Sequence, residues 1–135
     1  MSDTSESSPA AWAGPLSAIT LFVADLESTA RFYTEVFELP VVYADADSTV
    51  FRFGTMLVNL LQRGAAAELI EPAAAGDPSA GPVAVFTLPV DDVDARCALL
   101  AERGVTLLNG PIDRPWGPRT ASFRDPAGHV WEIAS

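Results

Sequence analysis

The chain has 135 residues, the size of one compact domain, and 49% of them are hydrophobic, enough to build a core. Its 18 acidic residues against 8 basic ones give a formal net charge of −10, which argues against nucleic acid and anionic membrane surfaces as partners. No apolar run approaches a membrane span, and the single cysteine, Cys97, can form no internal disulfide, so a reducing cytoplasm is the expected location.

Residues 1–14 are polar and acidic, lack the basic and apolar regions of a secretory signal, and read as a disordered tail. Leu16 to Val23 predicts a first strand. Asp25 follows, and its side-chain oxygen can cap a helix. Leu26, Ala30, Phe32, Tyr33, Val36 and Phe37 recur at helical spacing and predict an amphipathic helix over 26–37, ended by Leu39-Pro40. Strands are expected at 41–43, 49–53 and 56–62, separated by Asp45-Ala46-Asp47-Ser48 and Gly54-Thr55. Residues 63–82 are rich in Ala, Pro and Gly, and a connection this long is expected between two units.

The order then repeats. A strand is expected at 83–90 and a helix from the Asp92 cap to about Arg103, with Val93, Cys97, Leu99 and Leu100 apolar and Gly104 as its stop. Cys97 reads there as a small buried hydrophobe. A strand at 105–108, a loop at 109–118 and a strand at 120–124 follow. Asp125-Pro126-Ala127-Gly128 is a turn before a closing strand at 129–134. Each half is β-α-β-β-β. Val23-Ala24-Asp25-Leu26 matches Val90-Asp91-Asp92-Val93, and Asn59 matches Glu132. The repeat predicts a single domain, 15–135, made of two modules, 15–62 and 83–135, joined by the linker 63–82.

Strand alternation assigns faces. Ile19, Leu21 and Val23, then Phe86 and Leu88, then Trp131 and Ile133, suit the helix side. Thr20 and Phe22, Leu57, Asn59 and Leu61, Val85 and Thr87, and Val130 and Glu132 fall on the other side, where a cavity is expected.

Two stretches carry a family resemblance. One is Trp116-Gly117-Pro118-Arg119 with Phe123-Arg124-Asp125-Pro126-Ala127-Gly128-His129-Val130-Trp131-Glu132. The other runs from Ile19-Thr20-Leu21-Phe22-Val23 to Arg31-Phe32-Tyr33. Together they resemble the glyoxalase / bleomycin-resistance / extradiol-dioxygenase superfamily (vicinal oxygen chelate proteins), over residues 17–135. The resemblance implies an α+β fold: two β-α-β-β-β modules forming a curved, open, barrel-like eight-stranded sheet with helices outside. It leaves the chemistry open, because that superfamily hosts lyases, isomerases, dioxygenases and metal-free drug-binding proteins.

Metal-dependent members of the superfamily place ligands on the first, fourth, fifth and eighth strands. Carried onto this chain, those positions are Ala18, Asn59, Val85 and Glu132. Only Glu132 is a good ligand, and a divalent site needs about three. His129, the one histidine, lies three residues before Glu132 and so faces the other way. No metal and no other cofactor is therefore expected. The candidate ligand-binding residues are Glu132, Trp116, Asn59, Arg119, Phe22 and Phe53, with Arg119 a candidate cation for Glu132 and Trp116 a lid over an apolar ligand. For Phe22 and Phe53, core packing competes with a lining role. Asp125 reads as a turn residue.

Three functions stay open. The favoured one is metal-free binding of a small, partly apolar molecule, with cationic, antibiotic-like ligands suited to the acidic chain. The second is a divergent lyase, isomerase or dioxygenase acting on a small carbonyl or diol. The third is a non-catalytic interaction protein. A homodimer is expected, because an open sheet leaves edges in need of partners.

Overall fold

The computed structural model describes residues 12–135. The tail expected over 1–14 therefore falls largely outside the described residues; Trp12, at its end, is 93% exposed. The chain runs β1 (Ala18–Val23), α1 (Leu26–Val36), β2 (Tyr43–Ala44), β3 (Ser48–Phe53) and β4 (Met56–Gln62). A short helix, α2 (Ala67–Ile70), lies in the connection. Then follow β5 (Val85–Pro89), α3 (Val93–Glu102), β6 (Leu107–Asp113), β7 (Arg119–Arg124) and β8 (Val130–Ala134). Asp25 and Asp92 cap α1 and α3, accepting from the backbone N–H groups of Ser28 and Ala95.

All eight expected strands are present, and the fold is α+β. Within one chain they form two four-stranded sheets, ordered β1-β4-β3-β2 and β5-β8-β7-β6. β1 runs parallel to β4 and β5 runs parallel to β8; the other pairs are antiparallel.

The helix-bearing faces of the two sheets meet in one core. Leu21, Val23, Val58 and Leu60 of the first sheet join Phe123, Trp131 and Ile133 of the second, with Tyr33 from α1 and Val93, Cys97 and Leu100 from α3. Phe53 of β3 stacks on Trp131 of β8 with ring centroids 4.9 Å apart. Phe37, just past α1, packs against both Phe53 and Trp131. The rows assigned to the helix side by alternation are thus the core rows. Helix α1, expected outside one continuous sheet, touches both sheets, because their apolar faces can be buried only against each other.

Polar groups tie the halves together. Tyr33 donates its hydroxyl hydrogen to Asp125 (2.8 Å) and accepts from Nε1 of Trp131 (3.1 Å). Arg103 donates to the carbonyls of Glu35 and Val36 at the end of α1 and pairs with Glu38. Cys97 is a buried core residue of α3, as expected, and burial pushes its thiol pKa up.

The main difference from the expected elements is β6. Residues 109–113 fall within the expected loop 109–118, yet they belong to β6 and pair with β7 with shifts in register. β6 is an edge strand, where a proline's missing N–H costs no ladder bond. Gly110, at φ +95°, is required there: a Cβ on it would sit 2.5 Å from the carbonyl oxygen of Thr120. β2 is shorter than expected and begins at Tyr43. The linker 63–82 carries three short helical turns and contributes only Ala66 to the buried residues.

Candidate ligand-binding face

The two faces turned away from the shared core carry the polar residues. On the first sheet, Asn59 lies opposite both Thr20 and Val50. Its Oδ1 is buried and has no hydrogen-bond partner, a costly state for a carbonyl oxygen in mid-strand. On the second sheet, Glu132 lies opposite Thr87 and Ser122, and Asn109 lies opposite Ser122. Paired residues share a face, so Thr87, Glu132, Ser122 and Asn109 form one polar row across the sheet. The Thr87 hydroxyl donates to Glu132 Oε1 (2.8 Å), which orients the carboxylate.

The loop between β6 and β7 is tied to this face through Arg114. Gly117 donates its N–H to the Arg114 carbonyl (3.0 Å), and Arg114 donates its own to the Pro118 carbonyl (2.8 Å). The Arg114 guanidinium donates from Nε to the Thr120 hydroxyl and from Nη2 to Asn109 Oδ1, both at 2.8 Å. It lies 5.8 Å from the ring centroid of Trp116, which is 72% exposed.

Of the six residues proposed from sequence, Glu132 and Trp116 belong to the second sheet and the loop leading into it. Asn59 lies on the outer face of the other sheet. Within one chain Asn59 and Glu132 point away from the common core from different sheets. Arg119 is not turned to Glu132: it pairs with Asp94 and Asp113 at 3.0 Å each, and those bonds, Asp94's first, push its pKa up. Phe53 packs against the core and lines a cleft of about 730 Å³, while Phe22 lines a smaller one beside residues 76–84. His129, as expected, does not join Glu132; its Nε2 lies 3.0 Å from the Phe22 carbonyl. Arg114, which sequence reasoning passed over, is a cation tied to this face by its hydrogen bonds to Thr120 and Asn109; Arg124, in the same row of β7 as Thr120 and Ser122, is a second. The signal available for Arg114 was its place just before Pro115-Trp116-Gly117, in a loop too short to carry an arginine far from the indole.

The cleft of about 730 Å³ is a separate feature. It lies between the two sheets and is lined by Ile19, Leu21, Val58, Phe86, Leu88 and Trp131, among others. β1 and β5, which contribute to its walls, each have one unpaired edge.

The family's metal positions hold few donor atoms in this chain. Ala18 and Val85 carry no donor atom, Asn59 offers one neutral oxygen, and Glu132 is held by Thr87. This set does not fit a divalent centre with three or four protein ligands. Among the described residues no group of three or more His, Cys, Asp or Glu is placed to hold a metal ion. Nor, among them, is any helix long and apolar enough to cross a membrane.

Paired βαβββ modules with a polar row on the outer sheet face define a class of small α+β proteins. This chain belongs to the Glyoxalase/Bleomycin resistance protein/Dioxygenase superfamily, whose model matches residues 16–133. It is 32% identical over 119 residues to the uncharacterized protein YraH of Bacillus subtilis, covering 85% of this chain and 93% of YraH. It is 27% identical over 120 residues to the virulence protein STM3117 of Salmonella typhimurium, covering 86% and 80%. Among solved structures, a glyoxalase/bleomycin resistance protein/dioxygenase from Nocardioides superposes with a TM-score of 0.82 at 23% identity, over 96% of this chain and 87% of that one. At that identity the likeness shows the fold alone.

Proposed function

We propose that the protein binds a small, partly apolar molecule without a metal, and does so as a homodimer in the cytoplasm. The observation that carries the reading is the outer face of the second sheet. It carries an oriented carboxylate, Glu132, and a guanidinium, Arg114, bonded to Asn109 and Thr120, and the exposed indole of Trp116 lies beside that guanidinium. A few convergent polar groups beside an aromatic surface are what a small-molecule site needs.

What one chain leaves open supports the dimer. β1 and β5 have free edges beside an apolar cleft, and both are natural seats for a second copy. Pairing β1 of one chain with β5 of a second copy would join the sheet that carries Asn59 to the one that carries Glu132. The unpartnered Oδ1 of Asn59 supports this, since a ligand would satisfy it.

Native mass spectrometry of freshly purified protein is the first test, reporting dimer, metal and retained ligand together. A screen of planar and cationic metabolites and antibiotics by tryptophan fluorescence then supplies a ligand for calorimetry. Glu132→Gln and Trp116→Ala are each expected to weaken binding about ten- to a hundred-fold with circular dichroism unchanged. Folded variants that bind like the parent would move the site elsewhere.

A second reading, a divergent lyase, isomerase or dioxygenase, draws on the single oriented carboxylate. A solved structure titled a glyoxalase-related enzyme, from Fulvimarina pelagi, is 26% identical with a TM-score of 0.75. Turnover of a small carbonyl or diol substrate that Glu132→Gln abolishes is the result that favours it.

A further inference from the structure

We propose that Arg114 is the anion-binding element of this face, so that the ligand carries an oxyanion, a carboxylate or a phosphate, next to the apolar part covered by Trp116. This rests on the binding reading above and specifies its ligand class.

The argument starts from how the guanidinium is held. Nε and Nη2 donate to Thr120 and Asn109, both neutral acceptors. A guanidinium has five N–H groups, so three remain. Among the described residues no carboxylate lies within ion-pair distance of Arg114, although the chain has 18 acidic residues. Arg52, Arg63, Arg96 and Arg124 have no ion pair among them either, whereas Arg119 has two; what sets Arg114 apart is that two side-chain acceptors, Thr120 and Asn109, fix its guanidinium. Arg114 is oriented and has no carboxylate partner among the described residues.

Its mounting is rigid. The two backbone bonds that close the loop hold Arg114 and Trp116 on one turn, and Gly117 supplies the φ of +131° that this turn uses. Asn109 belongs to the same row as Glu132, so the guanidinium sits on the carboxylate's face but separated from it by Ser122. A fixed planar fork with free N–H groups matches the two oxygens of a carboxylate or phosphate. The acidic chain as a whole repels anions, so selectivity for one has to come from a local contact of this kind. The oxyanion sits on Arg114, the apolar body lies against the indole, and a hydroxyl or cationic group faces Glu132.

The test uses three probes of one shape: 2-naphthoate, 2-naphthyl phosphate and neutral 2-naphthamide. Binding is followed by the Trp116 indole N–H resonance, assigned with Trp116→Phe. At least one anion is expected to bind the parent protein about ten-fold or more tightly than the amide, and the better anion identifies the group recognised. Arg114→Gln is expected to bring the anions to the amide's level, and Arg114→Lys to keep part of the preference. If the amide binds the parent as tightly as both anions, Arg114 is not an anion subsite, and the binding reading stands alone. If no probe moves the Trp116 resonance at millimolar concentration, both fall. The parent comparison needs no variant, so a misfolded Arg114→Gln protein leaves the decision intact.

Discussion

Asp125 uses its two carboxylate oxygens for different purposes. Oδ1 accepts from the backbone N–H groups of Ala127 and His129 and so builds the turn before β8. Oδ2 accepts from Tyr33 on the other half of the chain. The phenol is fully buried, and burial first, then the nearby carboxylate, pushes its pKa well above the ordinary tyrosine value. The folded state therefore keeps a proton that the unfolded chain releases above about pH 10, and stability should fall as pH rises through that point. Absorbance at 295 nm should show Tyr33 ionising only as the protein unfolds. Tyr33→Phe should abolish that step and cost about 1–3 kcal/mol at neutral pH, because Asp125 and the Trp131 N–H lose a buried partner. The turn role of Asp125 was legible from Asp-Pro-x-Gly. The bond to Tyr33 was not, since nothing local joins residues 92 positions apart. Arg119 was misread for a similar reason: closeness to Trp116 in sequence said nothing of Asp94, which arrives on α3.

At the scale of elements, periodicity and turn chemistry placed both long helices and the strands other than β6, most of them alternating or 3.6-period runs between strong breakers; for β6 they reached only its first residues. β6 escaped because a glycine chosen for close backbone approach looks the same in sequence as one chosen for a turn. How the sheets meet also escaped: alternation says which residues share a face, never what that face touches. The strand edges give this scale its prediction. Val85, at the start of β5, is 57% exposed in the single chain. Val85→Lys should therefore leave the folded monomer within about 0.5 kcal/mol of the parent. A charge on that edge should disfavour the proposed β1–β5 contact. Sedimentation equilibrium is expected to show the parent as a dimer and the variant shifted toward monomer at equal concentration. A parent that stays monomeric across the micromolar range would remove the dimer from the proposal.

For the whole molecule, the common aromatic core makes the halves one cooperative body, and a single unfolding transition is expected. It also makes covalent continuity between them dispensable. The connection 63–82 gives the core only Ala66, while Tyr33, Phe53, Trp131 and Asp125 hold the halves by direct contact. A nick beyond Ala66 removes the tether's contribution to effective concentration but none of those contacts. Protease-clipped protein should elute from a sizing column as an intact body, its two fragments separating only in denaturant. Expressed as two separate peptides, the halves should find each other, and each alone, with its apolar sheet face bare, should aggregate.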